Sequence, residues 1–172
     1  IETSIREIGN AVEKALKAAL SGLVKMRQQE GDHLAGDLSA RINAIAKSAA
    51  RIQKRSPKVV LKYRDNLMER IANLGADAPA VDDDKLAREV AYFADRCDVT
   101  EEITRLNSHF EQFAGFVKSS KPVGRTLDFL SQEMNREINT IGSKANDSDI
   151  SREVVKVKAE LEKFREQVQN VE

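Results

Sequence analysis

Apolar residues recur every three or four positions along most of the chain, which is the period of one face of an α-helix. Three helices are predicted in the first half, over about residues 3–29, 32–54 and 57–74. The apolar side of the first consists of Ile5, Ile8, Val12, Leu16, Leu20 and Leu23. Because proline lacks an amide donor and pushes the preceding residue out of helical geometry, Pro57 is expected to separate the second helix from the third.

The second half of the chain continues the helical period after a Gly- and Pro-containing loop over residues 75–80. Three more helices are predicted, over about residues 82–117, 125–141 and 150–172. Asp82 is suited to cap the first of these, and Gly142 is expected at the C′ position of the second. No alternating strand of useful length is present. The sequence predicts an all-α fold of about six long helices, arranged as antiparallel pairs in a bundle or coiled-coil-like packing.

Composition supports helices and narrows the class of protein. The 172 residues include only 8 Gly and 3 Pro, and a third of them are charged. The single cysteine, Cys97, excludes an internal disulfide and favours a reducing compartment. No apolar run reaches the roughly 18 residues of a membrane span, so no membrane partner is expected. Long helices with few aromatic residues favour burial against other copies, and a homo-oligomer is expected. Because the chain starts inside a helical pattern, we expect it to be part of a longer protein.

Charge is unevenly distributed although the net charge is zero. Residues 38–64 contain no acid and eight bases, whereas residues 65–102 contain eleven acids and four bases. A solvated helix face normally interleaves acids with bases, so a surface that contacts a polyanion such as RNA is a fair alternative to a plain solvated face. The candidate RNA-contacting residues in the basic zone are Arg51, Lys54, Arg55, Lys58 and Lys62. Only Tyr63 is a nearby aromatic, so contact by charge and without base stacking is expected.

Two carboxylates, Glu133 and Glu137, lie one helical turn apart beside the apolar stripe of the predicted fifth helix. Like charges at this spacing repel, so a cation is expected between or beside them. In the predicted fourth helix, Asp98, Glu102 and His109 share a line that also borders the apolar stripe. If the two helices pack together, these groups could form a Mn²⁺ or Mg²⁺ site, with His109 as an alternative general acid or base. Ion pairing with arginine or lysine is an equally open interpretation.

No P-loop, Rossmann glycine fingerprint, CxxC pair or Ser/His/Asp signature is present, so no small-molecule cofactor is expected.

The strongest motif runs through the predicted fifth helix. It reads Gly124-Arg125-x-Leu127-Asp128-Phe129-x-x-Gln132-Glu133-Met134-Asn135-Arg136-Glu137-x-Asn139-Thr140-x-Gly142-Ser143-Lys144. Further matches are Arg27-x-x-Glu30-Gly31, the stretch from Asp95 to His109 and the ending from Lys163 to Glu172. Together these resemble the bacterial YicC/YloC family, a family of stress-induced proteins that are regarded as endoribonucleases.

The resemblance implies a metal-dependent, cytoplasmic endoribonuclease that is oligomeric and closes around RNA. Residues 1–172 would form its C-terminal helical domain, with a basic helical arm over 1–78 and a motif-bearing bundle over 82–172. The N-terminal α/β domain of the family lies outside this sequence. The alternative is a non-catalytic helical module that assembles the protein or clamps RNA, with the chemistry in the N-terminal domain.

On the first interpretation the residues take three roles. The catalytic candidates are Glu133, Glu137 and His109. The candidate ligands for Mn²⁺ or Mg²⁺ are Asp98, Glu102, Glu133 and Glu137. Phosphate near the reacting bond would be contacted by Arg125, Arg136 and Lys144, in addition to the five basic-zone residues.

Overall fold

The computed structural model describes residues 5–74, 82–119 and 121–171. They form five helices and no strand, so the all-α prediction is confirmed and the predicted number of six is wrong. The helices are α1 (Ile5–Ala72), α2 (Asp83–Cys97), α3 (Thr100–Val117), α4 (Gly124–Lys144) and α5 (Ser148–Val168). The loop predicted over residues 75–80 lies outside the described residues. None of the described helices combines the length and apolar character that crossing a membrane requires.

The first difference from the prediction is that α1 is one helix of 68 residues and includes Pro57. Proline in a helix interior costs about 3 kcal/mol through its lost hydrogen bond and its ring clash. The side chain of Pro57 faces solvent, while Ile52 before it and Val59 after it are buried. We attribute the continuity of the helix to this packing on both sides of the proline.

The second difference is a break inside the helix predicted over residues 82–117. The Asp98 carboxylate accepts hydrogen bonds from the Thr100 amide at 2.9 Å and from the Thr100 hydroxyl at 2.6 Å. Buried Val99 anchors the same turn. A side chain that satisfies the first amide of α3 favours a new helix start over continuation of α2. The predicted cap at Asp82 is confirmed, since its carboxylate accepts from the Lys85 amide.

Gly142 lies within α4, which continues to Lys144, so the prediction of a C′ glycine is wrong. A methyl group on Gly142 would lie 3.2 Å from Cγ1 of Val154, which is tighter than ordinary contact. The residue therefore allows α4 and α5 to approach closely. At the start of α4, a methyl group on Gly124 would lie 2.3 Å from the Val171 carbonyl oxygen. Both glycines thus hold the C-terminal segment close to α4.

The core lies around α5, which packs between α1 and α4, while α3 covers α4. The most buried side chains are Ile45, Ile52, Leu106, Met134, Ile138, Ile141, Val157 and Phe164. Helices α1 and α5 are antiparallel, since Arg41 pairs with Glu160 whereas Arg55 pairs with Asp147. The predicted antiparallel bundle is confirmed for this pair. The division into an arm over 1–78 and a bundle over 82–172 stays a prediction.

The N-terminal part of α1 extends beyond this core, and every residue from Ile5 to His33 is exposed. Its apolar stripe follows the same helix face as the buried positions that begin at Leu38. Val12 is 60% exposed and Leu16 58% exposed. The predicted homo-oligomer stays a prediction, and this stripe is where we expect copies to meet.

Candidate functional site

The seam between α3 and α4 contains two buried carboxylates, Glu102 and Glu137, with 5% and 3% of their surface exposed. The Lys144 ammonium lies 2.7 Å from Oε1 of Glu102. Nη1 of Arg105 lies 3.3 Å from Oε1 of Glu137. A buried carboxylate without a partner is strongly destabilising, so each cation offsets the desolvation of its acid. Two of the site residues predicted from the sequence, Lys144 and Glu102, therefore form an ion pair with each other.

Arg105 joins the two helices, because it contacts Glu137 of α4 and also Glu101 one turn before it on α3. The hydrogen bond to Glu137, followed by that to Glu101, raises the pKa of Arg105 above its usual value. The guanidinium thus stays charged. The spacing of Arg105 places it on the same line of α3 as Glu102 and His109, but its partner on α4 depends on how the two helices pack.

Two other predicted ligands have different surroundings. Asp98 is exposed, and its hydrogen bonds with the Thr100 hydroxyl and amide hold the pKa of its carboxyl below the usual value. The Asp98 carboxylate therefore stabilises the turn between α2 and α3. Glu133 is half-buried on α4 and forms no hydrogen bond or ion pair with the residues in 5–74, 82–119 and 121–171.

Two buried polar atoms of α3, Oε2 of Glu102 and Nδ1 of His109, have no hydrogen-bond partner among the described residues. Buried polar atoms are usually paired, so both are exceptions. Within the described ranges, however, no three His, Cys, Asp or Glu side chains cluster closely enough to hold a metal ion. With Glu102 and Glu137 each held by a base, the predicted donors do not fit a metal centre within one chain. The metal assignment stays a prediction.

The basic zone forms a stripe on the second half of α1, which we call the basic stripe. It consists of Lys47, Arg51, Lys54, Arg55, Lys58 and Lys62. The four lysines are exposed and form no ion pair with the described part of the chain, whereas Arg51 and Arg55 turn toward α5.

The two arginines of the basic stripe are held by acids of α5. Arg51 contacts Glu153 at 2.9 Å, and Arg55 contacts Asp147 at 2.8 Å and Asp149 at 3.1 Å. The hydrogen bond from Arg55 is the largest cause that lowers the pKa of Asp147. The pKa of Glu153 falls to about 2, chiefly through its hydrogen bond with Lys156, with smaller contributions from Ser48 and Arg51.

Beside these pairs, a cavity of about 420 Å³ lies between α1 and α5. Its charged lining residues are Arg51, Arg55, Arg152, Lys156, Asp149 and Glu153. Sequence reasoning missed Arg152 and Lys156, although their spacing of four residues places them on one face of α5. The cations of α1 and α5 exceed the acids here, which makes this side of the molecule locally positive.

The remaining predicted RNA contacts lie on α4. Arg125 and Arg136 are exposed on one face, about three helical turns apart, and form no ion pair with the described residues. Lys144 is half-buried and held by Glu102. The structure therefore keeps Arg125 and Arg136 available for contacts and gives Lys144 a partner inside the protein.

An aromatic pair lies next to the basic stripe. Tyr63 of α1 stacks on Phe93 of α2, with ring centroids 3.7 Å apart and ring planes at 4°. The expectation that Tyr63 is the only aromatic near the basic zone is wrong, because Phe93, thirty positions away in the sequence, reaches Tyr63 through packing of α2 on α1. Contact with RNA by charge and without base stacking stays a prediction.

Over its described residues the chain is all-helical, with a cationic face on α1 and a seam where cations hold two buried carboxylates. A family model described as the C-terminal part of YicC-like endoribonucleases matches residues 52–172. This chain belongs to that family, and the resemblance read from its motifs is confirmed.

Two curated relatives, both named probable endoribonuclease YicC, align with nearly the whole chain. The protein of Clostridioides difficile (strain 630) is 46% identical over 159 residues, which cover 92% of this chain and 54% of that protein. The protein of Haemophilus influenzae is 32% identical over 171 residues, which cover 99% of this chain and 58% of that protein. The chain thus spans about half the length of these relatives.

Proposed function

We propose that this chain holds RNA on the basic stripe of α1, as the helical part of a bacterial cytoplasmic endoribonuclease that cleaves RNA phosphodiester bonds. The observation that carries the proposal is the row of exposed lysines without ion pairs in the described ranges, in a chain that belongs to an endoribonuclease family. Phosphates are the ligands that such a row fits, because ammonium groups neutralise backbone charge regardless of base sequence.

The spacing of the lysines supports a continuous track. Lys54, Lys58 and Lys62 follow one another at four-residue steps, and each step advances about 6 Å along the helix axis. The cavity between α1 and α5 adds Arg152 and Lys156 beside this row, each in an exposed ion pair with an acid of α5. A strand that follows α1 would therefore meet cations from two helices.

Binding is tested by fluorescence anisotropy of a fluorescein-labelled, single-stranded RNA of about twenty nucleotides. We expect this chain to bind at low salt and to lose affinity steadily as salt is raised, since displaced counterions drive such contacts. No binding at 50 mM salt, or binding that salt does not weaken, would contradict the proposal.

A second role, assembly or clamping with the chemistry elsewhere in the whole protein, is favoured by the seam between α3 and α4. Glu137 is buried against Arg105, and Glu102 is held by Lys144. Such pairs hold helices together and occupy one oxygen of each buried carboxylate. Metal dependence, with Mn²⁺ or Mg²⁺, stays a prediction.

The two roles are separated by the double variant Glu133→Gln with Glu137→Gln, made in the whole protein and assayed for RNA cleavage with Mn²⁺ and with a chelator. Glu162→Gln with Glu166→Gln, two exposed acids four residues apart on α5, is the matched control. In the clamping role, any metal-dependent cleavage persists in a folded double variant. Specific loss of that cleavage, with the control active, would assign the two α4 carboxylates to catalysis.

A further inference from the structure

A second cavity, of about 390 Å³, lies where α1 and α2 meet the turn between α4 and α5. Its volume falls within the roughly 300–1,000 Å³ of clefts that bind small molecules or parts of larger ligands. The lining combines bases, amides and aromatic rings, namely Lys62, Tyr63, Asn66, Arg70, Phe93 and Asn146, in addition to Val59, Leu67, Asp147 and Ser148.

The stacked rings of Tyr63 and Phe93 form one wall of this cavity. Both residues are half-buried, so the rings are fixed by packing and still reach the cavity. The Tyr63 hydroxyl donates to Oε1 of Glu89 at 2.9 Å, which fixes the ring further. Planar aromatic surfaces of this kind attract the flat faces of nucleobases, whatever the base.

The charges around the cavity suit an anionic strand. Lys62 and Arg70 line it, and the one acid among the described lining residues, Asp147, is held by Arg55 at 2.8 Å. Glu89, which accepts the Tyr63 hydrogen bond, is not part of the lining. Lys62 also belongs to the basic stripe, so the cavity opens at the end of the row proposed to carry the RNA backbone. The amides of Asn66 and Asn146 supply both donors and acceptors for the edge of a base.

From this juxtaposition we infer that the cavity is a nucleobase-binding subsite for single-stranded RNA. One base enters against the Tyr63–Phe93 pair, its edge faces the two asparagines, and its phosphate lies near Lys62 and Arg70. A single strand is required because a duplex keeps its bases paired and stacked. The inference rests on the proposed function, since it assigns a second kind of contact to the same RNA.

The test compares a single-stranded RNA with an oligomer of the same length and charge whose ribose phosphates carry no bases. A stacked base contributes enough affinity that this chain should bind the RNA roughly 5- to 100-fold more tightly than the abasic oligomer. Equal affinity for both would overturn the subsite and leave the proposed function intact. Failure to bind either oligomer would overturn both.

Single substitutions test whether the preference for RNA over the abasic oligomer arises at the aromatic pair. Phe93→Leu should reduce the ratio of the two affinities toward one, while the salt dependence of binding stays unchanged. Tyr92→Leu is the matched control, because Tyr92 is the preceding residue of α2, is 62% exposed and does not line the cavity. Tyr63→Phe keeps the ring and should retain the preference. A folded Phe93→Leu protein with the full preference, or a Tyr92→Leu protein without it, would overturn the assignment.

Discussion

The seam between α3 and α4 and the basic stripe of α1 both contain charged side chains on helices, yet they use charge in opposite ways. In the seam, Glu102 and Glu137 are buried, and each carboxylate has a cationic side chain within 3.3 Å. On the basic stripe, the lysines are exposed and lack such partners among the described residues. Burial with a partner makes a charge structural, whereas exposure without one leaves it available to a ligand.

The junction of α1 with α5 resembles the seam in burial, since the side chains of Arg55 and Asp147 are 34% and 3% exposed, against 32% and 6% for Lys144 and Glu102. Arg55 is partly exposed, but its partner Asp147 is buried and also caps α5 through the amides of Asp149 and Ile150. Arg51 and Glu153 form a more exposed pair on the same junction. The three regions therefore differ in what remains around a charge when its partner is removed, and the following predictions test that difference.

The largest effect is expected from Lys144→Met, which leaves the buried carboxylate of Glu102 without its cation. We expect a loss of about 2–4 kcal/mol of unfolding free energy, below the upper values for fully buried pairs because Lys144 is itself partly exposed. Urea denaturation followed by circular dichroism measures it. Lys163→Met removes the exposed partner of Glu160 and should cost less than about 1 kcal/mol. Equal losses in the two variants would contradict the structural role of the seam.

Arg55→Met should have a smaller effect than Lys144→Met, because Asp147 keeps two backbone amide donors after the guanidinium is lost. Arg51→Met is the matched comparison, since its side chain is 58% exposed and its loss should cost no more than about 1 kcal/mol. Thermal unfolding of the two variants under the same conditions shows which substitution costs more stability. A larger cost for Arg51→Met would reverse the comparison.

The pH dependence of stability gives a smaller effect at Glu153, whose pKa falls to about 2 from the ordinary 4.5. Since the folded pKa is below the unfolded one, its contribution is present above pH 4.5 and is lost as pH falls toward 2. Solvent screening limits the contribution to about 1 kcal/mol. We therefore expect Glu153→Gln to lose less stability than the unaltered chain between pH 5 and 2.5.

The control for this titration is Glu162→Gln, an exposed acid on the same helix without an ion pair in the described part of the chain. Its unfolding free energy should follow that of the unaltered chain across the whole pH series. If Glu153→Gln shows the same acid sensitivity as this control, the ion-paired state of Glu153 contributes nothing to folding.

Much of this arrangement could be predicted from periodicity and local capping. The all-α class, the apolar stripes around Ile138 and Val157, and the cap at Asp82 depend on neighbours within a few positions, so the sequence contains the necessary information. The continuity of α1 through Pro57 could not be predicted in this way, because packing against α5 overrides the local effect of proline.

The candidate site shows the same limit. Sequence spacing selected Glu102, Glu137 and Lys144, but their pairing depends on how α3 lies against α4. The partners of Arg51 and Arg55 are about a hundred residues away on α5, and Phe93 reaches Tyr63 only through tertiary packing. Which lysines and arginines remain free to contact RNA therefore depends on the fold, and charge density along the sequence could not predict it.

The basic stripe is expected to show the smallest change in stability and the largest change in binding. Lys54→Gln, Lys58→Gln and Lys62→Gln together should alter the unfolding free energy by no more than about 0.5 kcal/mol, as is usual for surface substitutions. The matched control removes the same charge elsewhere, through Lys85→Gln, Lys118→Gln and Lys121→Gln, all of which are exposed.

The most direct measurement is the salt dependence of RNA binding by these two triple variants and the unaltered chain. If the three lysines of the basic stripe contact phosphates, the slope of log affinity against log salt should become about 2 units less steep in their variant, because each single-strand contact contributes about 0.7. The control triple should keep the original slope. An unchanged slope in the stripe variant, or the same loss in the control, would contradict the claim that α1 carries the RNA.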